Sequence, residues 1–140
     1  MGDLNLLPVV AIAVPLLASV LILLVGRYEN IREGVTITAA VAMLGAVLAM
    51  LPSVLSGTRI TVSLLPMVPG GDFALRVDAF GMVFALTAAV LWLLNSFYAI
   101  GYMRAQREHA QTRFYFCFAV AIAAAVGIAF SENLLTLFIF

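Results

Sequence analysis

The chain has 140 residues, 65% of them hydrophobic and only 10% charged, with a mean hydropathy of +1.18. Seven arginines and no lysine balance seven acids, so there is no basic stretch to hold nucleic acid. A composition this apolar excludes an ordinary water-soluble domain and makes the bilayer the solvent.

Four uncharged apolar stretches follow one another, at about 6–25, 35–55, 79–100 and 114–130. A bilayer core about 30 Å thick needs roughly 20 apolar residues in a helix, so the first three are long enough and the fourth is at the short end. The first is not a secretory leader, because its flank carries Asp3, lacks arginine, and shows no small-residue cleavage site. Pro8, Pro15 and Pro52 can kink their spans and need neighbouring helices to satisfy the freed carbonyls.

Between the first two spans, residues 26–34 (GRYENIREG) read as a loop holding Arg27 and Arg32; residues 101–113 hold Arg104, Arg107 and Arg113. The opposite side has only Arg59 and Arg76 on a longer loop. Five arginines against two put the first and third loops in the cytoplasm and the N-terminus outside. Tyr28, Tyr98, Tyr102 and Tyr115 all fall at that cytoplasmic boundary, as aromatic rings at a headgroup belt do.

The outer loop carries a second pattern. Arg59–Leu64 and Phe73–Asp78 alternate apolar and polar residues around a turn-rich stretch, Leu65–Asp72. That arrangement predicts a β-hairpin over about 59–78, lying on the outer surface of a helical bundle because an isolated hairpin is marginal in water. On the second span Ala42/Ala46 and Gly45/Ala49 offer small residues four apart; on the fourth, Ala119, Ala123 and Gly127 form a stripe. Small stripes let helices approach closely in membranes. Ala121, Ala124, Ala125 and Ala129 make the fourth helix small nearly all round, which predicts burial among other helices.

Within these bounds no span contains an ionisable side chain, the usual mark of an ion or proton path. Thr36, Thr38, Ser53, Thr87, Asn95 and Ser96 are the polar residues inside them, suited to hydrogen bonds between helices or to backbone. His109 reads as a solvated loop residue beside Arg107 and Glu108, and the single Cys117 as helix packing. There is no catalytic, cofactor-binding or metal-binding constellation. Asp78 stands where a carboxylate caps the third helix; Arg113 precedes the fourth with its stem able to snorkel. Glu132 and Asn133 start the short tail Leu134–Phe140 by the same capping logic. That tail is too short to cross a bilayer, so it either bends into the interface or is completed by further sequence or another chain.

From about residue 73 onward an ordered set of motifs stands out: Arg76-Val77-Asp78-Ala79-Phe80-Gly81, then Tyr98-Ala99-Ile100-Gly101-Tyr102-Met103, Arg113-Phe114-Tyr115, an Ala-rich helix, and Ser131-Glu132-Asn133-Leu134-Leu135-Thr136-Leu137-Phe138. This set resembles the antiporter-like subunits shared by respiratory complex I, Mrp-type cation/proton antiporters and membrane-bound hydrogenases. Related energy-coupled inorganic-carbon transporters carry the same kind of subunit. The resemblance implies a larger protein of about fourteen helices whose proton path uses a fifth-helix glutamate, expected just beyond Phe140, and later lysines. It implies a multi-pass place in a bacterial or archaeal-type cell membrane, other membrane subunits as partners, and protons or Na+ as the ions moved by the whole complex. Asp78, Arg113 and Asn133 match recurrent family residues, in positional rather than proton-carrying roles.

The expectation is therefore an all-α polytopic membrane protein forming a single membrane domain. It has four transmembrane helices, the truncated start of a fifth, and an extracytoplasmic β-hairpin between helices 2 and 3. Its expected role is structural, within a translocating subunit. A small four-helix scaffold or assembly subunit is the alternative; a membrane enzyme is the third and poorest reading, for want of any catalytic group.

Overall fold

The first helix, α1 (Gly2–Leu24), stays continuous through Pro8 and Pro15. In the computed structural model, residues 2–68, 71–106 and 109–140 are described, with side chains for 6–64, 72–106 and 109–140. The remaining elements are α2 (Glu29–Leu55), β1 (Ile60–Val68), β2 (Gly71–Val77), α3 (Ala79–Gln106), α4 (Gln111–Ala129) and α5 (Leu134–Ile139). Four of the helices, α1 to α4, are long and apolar enough to cross a membrane.

These four close into a ring in chain order: α1 packs on α2 and α4, α2 on α3, and α3 on α4. The short α1–α2 and α3–α4 connections make those pairs antiparallel, and the ring has two distinct ends. One end carries the hairpin. The other gathers the ends of α1 and α3 with the starts of α2 and α4.

The core face of α2 is read off its burial: Arg32, Glu33, Thr36, Ala39, Ala40, Met43, Ala46, Val47 and Met50. Steps of three and four residues mark one side of a helix. Small residues on α3 (Ala85, Ala89) and α4 (Ala119) share the core with the bulky Trp92, Met43 and Met50. Alternation of small and large groups lets the layers interdigitate without voids.

Several expectations need correction. The loop assigned to 26–34 is largely helix, since α2 starts at Glu29, and α3 runs to Gln106 rather than ending near 100. Charged residues marked these stretches as loops, yet they extend the helices by another turn or more. The pair Gly45/Ala49 and also Ala42 face outward, and only Ala46 of that set is buried. On α4 the Ala119, Ala123 and Gly127 stripe is buried, but Ala121 is exposed and Ala124, Ala125 and Ala129 are partly so. The bundle covers one side of that helix, not all of it.

The hairpin forms between α2 and α3, and its pairing reaches further than the sequence pattern. Pro66 stands opposite Asp72 and Val68 opposite Gly71, with irregularities at Ser63/Leu65 and Pro66/Val68. Proline lacks an N–H, but a strand with a free edge has no need of every donor. Much of the stretch read as a turn is thus strand; residues 69 and 70 lie outside the described residues.

β2 gains a second neighbour on its other edge. Arg76 N–H donates to Phe130 O at 2.7 Å, Glu132 N–H to Ala74 O at 3.1 Å, and Leu75 bridges Ser131 in antiparallel sense. The polar break after α4 therefore covers this edge through one isolated bridge. Sheet edges need such cover, because unpaired backbone groups next to an apolar bundle are costly.

Candidate functional site

At the end away from the hairpin, α2 brings two charged side chains into the bundle: Arg32 and Glu33 are 3% and 4% exposed. A buried charge must be paired or hydrogen-bonded. Arg32 Nη2 donates to Gln111 Oε1, and Nη1 to Thr112 Oγ1 at 3.1 Å and Gly26 O at 3.3 Å. Its Cζ lies 5.3 Å from the centroid of the Tyr115 ring, within cation–π range. Thr112 Oγ1 also donates to Gly26 O at 3.2 Å, and Gln111 Nε2 to Met103 O at 3.3 Å. One guanidinium thus joins the α1–α2 connection, the start of α4 and, through Gln111, the end of α3.

Gly26 is needed for that approach. A Cβ there would fall 2.8 Å from Thr112 Cγ2. Glu33 faces the other way and takes Arg104 of α3: Arg104 Nε lies 3.1 Å from both carboxylate oxygens, and Nη2 also reaches Glu33 Oε2. The same Nη2 donates to Asn30 Oδ1 at 2.6 Å. Glu33 is thereby neutralised by Arg104, whereas the hydrogen-bond partners of Arg32 are all uncharged. Among the described residues, Arg32 Nε and Tyr115 Oη are buried without a protein hydrogen-bond partner.

This cluster can bind helix ends and hold a fixed positive charge at the bundle's end. It offers no nucleophile with a base. No group of three or more His, Cys, Asp or Glu that could hold a metal ion occurs among the described residues. Thr36, Thr87 and Ser96 each donate to a carbonyl four residues back on their own helix, Arg32 O, Val83 O and Trp92 O. They bond locally, not between helices.

Asp78, Arg113 and Asn133, singled out in the sequence, are not brought together. Asp78 Oδ1 accepts from Gly81 N–H at 2.8 Å in the first turn of α3. Asn133 Oδ1 accepts from Thr136 N–H at 2.8 Å at the start of α5, while its Nδ2 donates to Asp72 O at 2.7 Å. Both lie at the hairpin end. Arg113 is exposed on the first turn of α4, at the opposite end.

Of the four boundary tyrosines, Tyr28, Tyr98 and Tyr102 are exposed, and Tyr98 stacks on Tyr102 at 6.0 Å. Tyr115, 2% exposed, is turned inward against Arg32 instead. Arg107 and Glu108, the expected neighbours of His109, lie outside the described residues, and His109 itself is exposed. Cys117 is exposed rather than packed.

The tail is seated, not free. Thr136, fully buried, accepts from Ala74 N–H at 3.1 Å, and the Phe140 ring packs tilted against Phe73 at 5.8 Å between centroids. Leu134 and Phe138 on its other face are 84% and 92% exposed. The chain matches no known family model and no curated protein.

Proposed function

We propose that this chain is the N-terminal, structural segment of a proton- or cation-translocating subunit in a multisubunit membrane complex, of the Mrp-type antiporter or complex I-like kind. In this reading the arginine-rich end faces the cytoplasm, and the N-terminus and the hairpin face outward. Other membrane chains, including the continuation of the subunit, pack around the ring.

One observation carries the reading: the charged residues of the long helices lie near their ends, where Arg32, Glu33 and Arg104 tie elements together, and the middle of each helix is free of charge. A frame of that kind positions a proton path without supplying its titrating groups. The ordered motifs from Arg76 to Phe138 supply the choice of family. Inorganic-carbon uptake by a related complex is a variant of the same reading, decided by the partner subunits.

The test is purification of the native complex through this chain, identification of its neighbours, and flux assays. Partners carrying buried acids and lysines, with sodium- or redox-coupled proton movement, are expected. Proton flux through this chain alone, above that of empty vesicles, contradicts the reading.

The seated tail favours a second reading, a small four-helix scaffold or assembly subunit. A monodisperse monomer, isolated without membrane partners under conditions that preserve complexes, would select it.

A further inference from the structure

On the lateral face of α4, Ala110, Arg113, Phe114, Cys117, Phe118 and Ala121 line an open groove of about 460 Å³. The positions advance by three and four residues, so they form one continuous stripe along the helix. Phe114 and Phe118 stack at 5.9 Å and make a flat aromatic wall. The groove therefore has one charged group, Arg113, at the end near the α3–α4 connection, and uncharged lining below it. From Arg113 to Ala121 is about 12 Å of helix rise. One leaflet of hydrocarbon is about 15 Å deep, half the bilayer core.

We propose that this groove holds one anionic phospholipid of the leaflet at the arginine-rich end. Its phosphate lies against the Arg113 guanidinium, and an acyl chain runs down the wall of Phe114, Cys117, Phe118 and Ala121. Charge complementarity selects the occupant. A zwitterionic lipid would bring its own cation to Arg113, and a partner helix would have to place an acid at that depth. Guanidinium is the preferred donor for phosphate because its planar fork can make two parallel hydrogen bonds. The inference rests on the chain crossing a bilayer and is independent of the transport reading.

The test uses the full chain in nanodiscs of mixed dioleoyl phosphatidylglycerol and phosphatidylcholine, with retained lipids counted by native mass spectrometry after release. Wild type is expected to keep one phosphatidylglycerol in preference to phosphatidylcholine. Arg113→Gln should lower that retention about fivefold, the effect of one basic residue at an anionic surface. Cys117→Phe, which fills the groove but keeps the charge, should lower it as well. Arg59→Gln, on an exposed arginine at the opposite end, should leave it unchanged. Equal retention of the two lipids by wild type overturns the proposal. So does unchanged retention in Arg113→Gln or Cys117→Phe protein of wild-type helical content. A chain that fails to enter nanodiscs and stays in the aqueous fraction would refute the membrane-spanning reading instead, a separate outcome.

Discussion

Arg104 and Glu33 meet in a chelated ion pair that ties the last turn of α3 to the second turn of α2, with Arg104 Nε 3.1 Å from both carboxylate oxygens. The burial is unequal. The Glu33 side chain is 5% exposed and that of Arg104 is 50% exposed. Removing the arginine therefore strands a buried carboxylate, whereas removing both charges strands nothing. Thermal unfolding in detergent micelles should rank Arg104→Gln below the double variant Arg104→Gln/Glu33→Gln. If the double variant is the less stable, the pair is not a buried-charge device.

Arg32 makes a different kind of prediction, because its partners are neutral and lie on two segments, the α1–α2 connection and α4. Replacement by leucine should cost about 2 kcal/mol, on the scale of a hydrogen bond to a charged group. Lysine should recover little of it. An ammonium cannot span Gln111, Thr112 and Gly26 from one plane, nor stack equally on Tyr115. Wild-type melting of Arg32→Lys would show that charge, and not the fork, is what the site needs.

Much of this end was legible in the sequence, but under the wrong heading. The buried face of α2 steps back from Met43 through Ala39/Ala40 and Thr36 to Arg32/Glu33 without a break. Charge favours a loop at 26–34, yet the helical period continues through it. The four apolar spans needed only length and hydropathy, and the hairpin only period two. Tyr115 shows the limit: its place at the boundary fits a headgroup belt, and only the arginine across the ring turns it inward. Nothing local in Ser131–Asn133 announces the bridge to Leu75, because its partner β2 lies more than fifty residues earlier. Gly45/Ala49 has the spacing of a close helix contact, but spacing does not say which side of α2 meets a neighbour.

The tail should depend on one hydroxyl. Thr136 Oγ1 accepts from the buried Ala74 N–H, and valine has nearly the same shape without the acceptor. Thr136→Val should cost about 1–2 kcal/mol locally, the penalty of an unsatisfied buried donor. Hydrogen exchange should rise at Ala74 and along β2 while the amides around Trp92 keep their protection. Unchanged exchange at Ala74 would mean that α5 does not hold the strand in place.

Gly81 tests how closely α3 and α4 approach at the hairpin end. A Cβ there would lie 2.7 Å from Ala129 O, a backbone atom that cannot rotate away, and 3.3 Å from both Asp78 Oδ1 and Phe130 Cδ1. Gly81→Ala should therefore force α3 away from the end of α4, costing about 1–3 kcal/mol, as overpacking does. Asp78→Ala removes only the cap on Gly81 N–H and should cost about 1 kcal/mol. The two differ in reach as well as size. Displacing α4 disturbs the Arg76–Phe130 backbone bond that follows it, so exchange at Arg76 should rise in Gly81→Ala and stay low in Asp78→Ala. Equal effects of the two variants at Arg76 would mean that the cap, rather than the close contact, sets the geometry of this corner.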